Sequence, residues 1–298
     1  MSVLPQAFRT IGIIGRVNNQ GVKETLHALI HFLSTLPIKV VIDAETATSL
    51  TSSNFPTLSR NQLGEHCDLI IVVGGDGSLL HATHDIINCK APLLGINRGS
   101  LGFLTDINPT ELEKITAILK GDYLLEKRFL LTAQTRLQGK LLAQEDALNE
   151  VALIPDMIPH ILEFEVYIDN QFVCSHNSDG LIVATPTGST AYALSGGGPI
   201  LHPQLDAIVL VPMFPHSLSS RPIVVDGNRQ IKLVISRNNR TSPRISCDGR
   251  PCIDAPAGSE IDITKKSQPL HLIHPLDYNY YETLRSKLQW GKKLHYTE

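Results

Sequence analysis

The chain has 298 residues, of which 42% are hydrophobic and 18% are charged. This length favours one large or two modest domains, and the apolar content is sufficient for buried cores, which excludes a disordered protein. The formal net charge of −3 and a sequence pI near 6.5 provide no overall basic field, so charge-driven binding to nucleic acid or to an anionic membrane is excluded.

The absence of certain sequence patterns indicates the cellular compartment and the state of the cysteines. No apolar run approaches the roughly 20 residues of a membrane-spanning helix, and residues 1–10 lack the apolar region of a signal peptide, so we expect a cytoplasmic protein. The cysteines lack CxxC spacing, which predicts buried free thiols rather than disulfides or a zinc site. They are Cys67, Cys89, Cys174, Cys247 and Cys252.

Short apolar runs alternate with helical patterns in the first third of the chain. The runs at residues 11–14, 39–42, 69–73 and 92–96 indicate buried parallel strands. Between the first two strands, Leu26, Leu29 and Leu33 follow the spacing of one helix face. A second helix is predicted with Asn108 as its N-cap and Gly121 after its end. This alternation predicts an α/β domain.

After Arg128 the apolar period changes to two, which is typical of half-buried strands. Candidate strands are residues 164–168, 180–184, 208–211, 231–235, 244–247, 261–263 and 270–273. We therefore predict an N-terminal α/β domain at residues 1–128, with a Rossmann-like layered parallel sheet, and a mainly β domain at 129–270. Residues 271–298, helical with Asp277 as a possible cap, are expected to pack back on the first domain.

The most informative local motif is Gly74-Gly75-Asp76-Gly77, directly after a predicted strand and before a predicted helix. Ligands bind at the carboxyl ends of strands in open α/β sheets, and glycines there let backbone N–H groups approach phosphate oxygens. A carboxylate beside phosphates indicates phosphoryl transfer. The alternative is a tight turn with Asp76 as a helix cap. No GxxxxGK[ST] loop, GxGxxG motif or protein-kinase signature is present.

Two further stretches carry polar groups suited to a nucleotide. Asn149-Glu150 begins a predicted strand and could bind ribose hydroxyls, although for the pair alone a solvated strand end is the default explanation. Residues 185–199 place hydroxyl side chains and glycines before a short helical turn, with Tyr192 offering a flat face to a purine. The alternative for this stretch is a turn that caps its own helix.

These motifs, in this order and spacing, resemble those of bacterial NAD kinases, and the similarity extends over essentially the whole chain. It includes residues 95–106, 211–217 and 245–248. The GGDG sequence alone also occurs in similar lipid kinases and phosphofructokinases, but those proteins lack the TPTGSTAY segment at residues 185–192.

The resemblance implies that Asp76 is the catalytic base and that Gly74, Gly75 and Gly77 form a phosphate loop. It further implies a set of NAD-contacting residues: Asp76, Gly77, His81, Asn149, Glu150, His160, Asn177, Asp179, Thr187, Thr190, Ala191, Tyr192, Ala193, Leu194, Ser195 and Arg250. No residue is assigned as a metal ligand.

The same resemblance implies transfer of the γ-phosphate of ATP to the adenosine-ribose 2′-hydroxyl of NAD, with Mg²⁺ or another divalent cation. It implies a homodimer or homotetramer in which a neighbouring subunit closes the site, and no nucleic-acid or membrane partner. Two other hypotheses stay open. One is a GGDG-containing lipid or sugar kinase, and the other is a non-catalytic dinucleotide sensor.

Overall fold

The computed structural model describes residues 8–16, 20–50, 55–99, 102–156, 161–250 and 253–290. It divides into two compact units. The first comprises Met1–Lys127 together with Leu270–Glu298, and the second comprises Arg128–Pro269.

The first unit contains a seven-stranded sheet in the order β3-β2-β1-β4-β5-β19-β6. Its strands are β1 (Thr10–Gly15), β2 (Lys39–Asp43), β3 (Thr57–Leu58), β4 (Leu69–Gly74), β5 (Leu93–Asn97), β6 (Leu124–Arg128) and β19 (Leu270–His274). Its helices are α1 (Gln20–Ser34), α2 (Ala44–Ala47), α3 (Arg60–His66), α4 (Asp76–Ile86), α5 (Lys114–Lys120) and α7 (Tyr280–Leu288). The pairs from β3 through β19 are parallel, which confirms the predicted α/β class.

Burial explains why these segments became strands and helices. Every residue of β4 is buried, as expected of a central strand covered on both faces. Helix α1 buries the predicted apolar face, including Leu26, Leu29 and Leu33. These side chains pack with those of β1, β2 and β4 into one core. The core fixes the carboxyl ends of the parallel strands at one edge of the sheet.

Three details of the first unit differ from the predictions. Helix α5 begins at Lys114 because Asn108 accepts a hydrogen bond from the backbone of Thr110 and closes a turn instead of capping a helix. Helix α7 is capped by Asn279, which accepts from the N–H groups of Tyr281 and Glu282, rather than by Asp277. The strand predicted at residues 270–273 joins the parallel sheet beside β5 rather than the β domain.

The second unit consists of two six-stranded antiparallel sheets, in the orders β11-β10-β15-β18-β7-β8 and β14-β13-β12-β9-β16-β17. The strands are β7 (Leu131–Leu137), β8 (Lys140–Ala147), β9 (Glu150–Ile154), β10 (Leu162–Ile168), β11 (Gln171–Ser178), β12 (Gly180–Ala184), β13 (Ala207–Met213), β14 (Ile223–Asp226), β15 (Ile231–Ile235), β16 (Arg244–Cys247), β17 (Ile253–Asp254) and β18 (Glu260–Lys265). A 3₁₀ turn (Gly188–Thr190) and helix α6 (Tyr192–Ser195) follow β12.

Alternating apolar residues from the two sheets form a common core in the second unit. Leu162, Phe164 and Val166 of β10 point into it, as the period-two pattern predicts. The opposite face of β12 and β13 packs against Ala193 and Leu201. The segment that contains α6 is thus anchored to the sheet by its own small apolar cluster.

The thiol prediction was correct only in part. Cys67 and Cys247 are buried free thiols, whereas Cys89 and Cys174 are free but only half-buried. Cys252 lies outside the described residues. In the part of the chain that the structure describes, no helix has the length and apolar character to cross a membrane.

Candidate functional site

Asp76 lies where the sequence predicted, at the junction between β4 and α4. It is the first residue of α4, and Gly75 is the N-cap. Its Oδ2 accepts a hydrogen bond from the backbone N–H of Phe103 at 2.8 Å, and Oδ1 accepts from the N–H of Leu104 at 3.0 Å and the hydroxyl of Thr105 at 3.3 Å. The carboxylate is therefore fixed by a second loop rather than by its own helix.

The three glycines of this junction differ in whether packing leaves room for a side chain. A Cβ at Gly74 would lie 2.3 Å from Ser78 Oγ, so packing excludes a side chain there. A Cβ at Gly75 or Gly77 would meet no atom of the described residues within 4 Å. Packing within the chain does not explain these two glycines, and the open space beside their backbone is suited to a ligand that approaches the N–H groups.

A cavity of about 440 Å³ opens beside this junction, within the size range of small-molecule sites. Its wall includes Gly77 and Ser78 from the start of α4 and Gly15 from the end of β1. The charged and titratable side chains on the wall are Arg16, Glu45, Arg60 and His81. The cavity thus combines a helix N-terminus with basic side chains, which is the chemistry of an anion site.

The two arginines differ in how far they are neutralised. Arg60 lies 2.7 Å from a carboxylate oxygen of Glu45 and 2.8 Å from one of Asp85, and Asp43 is 3.6 Å away. Arg16 is exposed and has no ion pair with another described residue. Arg16 therefore offers an unused positive charge to a phosphate, whereas Arg60 is already balanced by carboxylates.

In the second unit, one turn holds the Asn149-Glu150 pair. Asp248 follows β16, and its carboxylate accepts the backbone N–H groups of Leu148, Asn149 and Glu150 at 2.7, 2.8 and 3.0 Å. Its own N–H donates to the carbonyl of Glu150 at 3.0 Å. The backbone that carries the pair is consequently locked from both sides.

Glu150 is 7% exposed, and its Oε2 has no hydrogen-bond partner among the described residues. Burial raises the pKa of Glu150 to about 8, and the negative charge of Asp248 adds to this shift against a smaller opposing effect of the Tyr192 N–H. A buried carboxyl oxygen without a partner is costly unless a ligand binds to it. This is the strongest indication of a ligand site in the second unit.

The predicted hydroxyl-rich segment packs directly against this pair. The N–H of Thr185 donates to the carbonyl of Asn149 at 2.9 Å, and a Cβ on Gly188 would lie 2.0 Å from that same oxygen. Thr187 is buried and accepts a hydrogen bond from the buried Arg128 at 3.2 Å. Tyr192 is 46% exposed, so its ring is free to contact a ligand. Thr185 also caps its own turn by accepting from the Gly188 N–H at 3.1 Å, as the alternative interpretation of this segment expects. The role of the segment in nucleotide binding stays a prediction.

The other predicted site residues lie in varied surroundings. Of residues 190–195, Thr190, Ala191 and Leu194 are half-buried, Ala193 is buried and Ser195 is exposed. Asn177, exposed near the end of β11, and half-buried Asp179 flank Ser178, and Arg250 is an exposed residue of the turn after Asp248. Its guanidinium lies 3.8 Å from Glu145. His160 lies outside the described residues.

Sequence reasoning assigned no role to three residues that the structure places at these sites, namely Asp248, Arg16 and Thr105. Arg16 could have been identified from sequence, because it follows the end of a strand in the same way as the glycine motif. The other two act through contacts distant in sequence. No group of three or more His, Cys, Asp or Glu side chains in the described ranges could hold a metal ion.

Comparison with known proteins shows which family the chain belongs to. Residues 11–123 match the family model of the ATP-NAD kinase N-terminal domain, and residues 148–275 match that of its C-terminal domain. The chain is 56% identical over 290 residues to the NAD kinases of Ectopseudomonas mendocina and Pseudomonas syringae pv. syringae, covering 97% of this chain and 98% of each relative.

Solved structures share the fold. Yeast NADH kinase complexed with NADH aligns with a TM-score of 0.89 at 23% identity, covering 99% of this chain and 91% of that chain. An NAD kinase from Archaeoglobus fulgidus in complex with ATP aligns with a TM-score of 0.72 at 27% identity, covering 94% and 98%. With both family models matched in order and close relatives aligned over nearly the full length, this chain belongs to the ATP-NAD kinase family.

Proposed function

We propose that the protein transfers the γ-phosphate of ATP to the adenosine-ribose 2′-hydroxyl of NAD, with Asp76 as the catalytic base. The observation that carries this proposal is the placement of Asp76. It stands at the N-terminus of α4, held by three hydrogen bonds, next to a cavity lined by Gly77, Ser78 and Arg16.

Asp76 retains the capacity to accept a proton from the acceptor. An ionised carboxylate offers about four lone-pair sites, and three are used by Phe103, Leu104 and Thr105, so one remains for a hydroxyl. Taking that proton while the hydroxyl oxygen bonds to the γ-phosphorus releases ADP and leaves the phosphoryl group on the ribose. The fixed orientation of the carboxylate keeps its free lone pair available without rearrangement.

The donor nucleotide is best accommodated by the cavity of the first unit. Backbone N–H groups at the start of α4 and the unused charge of Arg16 suit the phosphates. The open space at Gly75 and Gly77 allows the phosphates to approach the main chain. The Archaeoglobus relative, crystallised with ATP, supports a nucleotide triphosphate as the donor.

The described side chains offer no cage for a divalent cation. Mg²⁺ usually keeps several waters and binds through substrate phosphates with few protein ligands, so an ion bound to ATP would not need such a cage. Such an ion would neutralise charge on the phosphate oxygens. The chain's own contribution is to orient the phosphates at α4 and to hold the proton acceptor.

The acceptor is proposed to bind through Asn149 and Glu150. The buried, unpartnered Oε2 of Glu150 can bond to a ribose hydroxyl, and Asn149 offers both donor and acceptor atoms. Tyr192 presents a half-exposed ring suited to stacking on the adenine. A lipid acceptor would not explain why these polar groups are placed here.

The test is a coupled assay with ATP, Mg²⁺ and NAD in which an NADP-specific dehydrogenase detects the product. In Asp76→Asn, kcat should fall by about 10²–10⁴-fold, the usual contribution of a general base. NAD binding, followed by calorimetry, should persist because the acceptor groups lie on other segments.

Asp68→Asn is the matched control for loss of hydrogen bonds. Asp68 precedes β4 and likewise accepts two backbone N–H groups, those of Arg9 and Thr10 at 3.0 and 2.9 Å. This variant should lose thermal stability but retain kcat. Equal turnover in Asp76→Asn and wild type would refute the base assignment. Turnover of a lipid or sugar instead of NAD, or NAD binding without turnover, would establish one of the alternative functions.

A further inference from the structure

A buried histidine lies at the end of β19, where the C-terminal segment returns to the parallel sheet. The ring of His274 is 1% exposed and bonds to a carboxylate at each nitrogen: Nδ1 to Asp106, and Nε2 to Glu126 at 2.9 Å. Tyr278 stacks on the ring with centroids 4.0 Å apart. The histidine therefore joins three separate segments of the first unit.

The two carboxylates favour the doubly protonated ring. Burial alone lowers the pKa of His274, but hydrogen bonds to Asp106 and Glu126, together with their negative charges, outweigh burial and raise the pKa above its ordinary value. An imidazolium donates from both nitrogens at once, whereas a neutral ring donates from only one. The other charged groups on the cavity of about 180 Å³ beside Asp106 are Lys114, Asp277 and Glu282.

Asp106 directly follows the residues that hold the carboxylate of Asp76. Phe103, Leu104 and Thr105 supply the three donors to that carboxylate. The backbone approaches it so closely at Gly102 that a Cβ there would lie 2.0 Å from Asp76 Oδ1. A small displacement of this segment therefore moves or releases the carboxylate.

The C-terminal segment holds the same loop at a second point. The ring of Phe103 packs against that of Tyr280 at the start of α7, with centroids 6.3 Å apart. The loop is thus held by α7 at Phe103, the first of the three donors to Asp76, and by β19 at Asp106, directly after the last donor.

We propose that His274 is a positioning residue for phosphoryl transfer: by binding Asp106 and Glu126 together, it fixes residues 102–106 and through them the carboxylate of Asp76. The inference rests on the proposed role of Asp76 as the base. It makes the C-terminal return strand part of the catalytic apparatus although His274 touches no reacting atom.

The first test replaces His274 by Gln, whose amide can donate to only one of the two carboxylates at a time. We expect kcat per folded molecule to fall by about tenfold to a hundredfold, since misplacing a reacting group by 1 Å can cost about a hundredfold. KM values for ATP and NAD should stay within about twofold, because His274, Asp106 and Glu126 are not among the residues proposed to bind either substrate. His271→Gln, on the same strand and half-exposed, is the matched control and should retain kcat.

The second test uses pH and keeps the Asp106–His274 pair intact. In wild type, kcat should fall at the alkaline end as His274 loses one proton and one carboxylate loses its donor. Glu126→Gln removes one of the negative charges that raise the pKa of His274, so the alkaline fall should move to lower pH. This variant decides the matter even where His274→Gln does not fold.

A double-mutant cycle separates this proposal from the assignment of the base. If His274 acts through Asp76, adding His274→Gln to Asp76→Asn should lower kcat far less than it does in wild type. Undiminished kcat in folded His274→Gln, or an unmoved alkaline limb in Glu126→Gln, would overturn the positioning role. Wild-type turnover in Asp76→Asn would instead refute the role of Asp76 as the base, on which the positioning role rests.

Discussion

The buried carboxyl group of Glu150 is suited to binding a ligand but lowers the stability of the folded protein. The residue is only 7% exposed, and its carboxyl group is close to the negative charge of Asp248. The raised pKa of about 8 means that the folded protein holds this proton through neutral pH, whereas the unfolded chain releases it near the ordinary value of 4.5. Binding residues that are poorly satisfied in the free protein often lower its stability.

The raised pKa of Glu150 determines how the free energy of unfolding changes with pH. Because the folded-state pKa of Glu150 is raised, its contribution to stability is full below the unfolded-state pKa and is lost as pH rises towards about 8. Glu150→Gln keeps the shape but cannot ionise. It should nearly match wild type near pH 4, below the unfolded-state pKa, and exceed its free energy of unfolding by about 1–3 kcal/mol at pH 8, from about 1.4 kcal/mol per pKa unit with allowance for relaxation. Urea unfolding at both pH values measures this. Glu145→Gln, at an exposed position, is the control, and a constant difference between Glu150→Gln and wild type would contradict the expectation.

At the scale of secondary structure, the turn after β16 acts as a clamp on the start of β9. Asp248 takes up three consecutive N–H groups there, so Asp248→Asn should let Asn149 and Glu150 shift. Hydrogen bonds to a charged group are worth about 1.5–3 kcal/mol, so we expect KM for NAD to rise roughly tenfold to a hundredfold while KM for ATP changes little. Asp254→Asn in β17, where the carboxylate pairs with Arg244, serves as control. A parallel rise in both KM values would argue against a local effect on the acceptor site.

The same elements show what could be predicted from sequence. The glycine motif was placed correctly because the strand pattern, the glycines and the helix start are all local. Asp248 bonds to residues 98 to 100 positions earlier, and His274 lies 168 positions from Asp106, so no local pattern reveals either contact. Asn108 misled the prediction because a side chain that caps a turn and one that caps a helix have the same sequence signature.

At the scale of the whole molecule, Asp179 adjoins a conspicuous apolar surface. Its N–H donates to the carbonyl of Met213 at 3.0 Å, and its carboxylate has no hydrogen-bond partner among the described residues. The chain after Met213 presents Phe214 and Leu218, which are 81% and 95% exposed. Exposed apolar groups of this kind often mark contacts between subunits. We therefore expect this loop to meet another copy of the chain and Asp179 to serve a site in that copy, as the resemblance to NAD kinases implies.

Complementation between inactive variants tests this arrangement. If Asp76 acts within its own subunit and Asp179 reaches into a neighbour's site, Asp76→Asn and Asp179→Ala should each be nearly inactive alone. Co-expression should restore activity, because a mixed oligomer contains one site with both wild-type carboxylates.

Co-expressing each variant with a differently tagged copy of itself is the control and should restore nothing. A site built from a single chain cannot recover in this way. Mixed oligomers, verified by native mass spectrometry, that remain as inactive as their parents would rule out the shared site and leave the assignment of Asp76 unaffected.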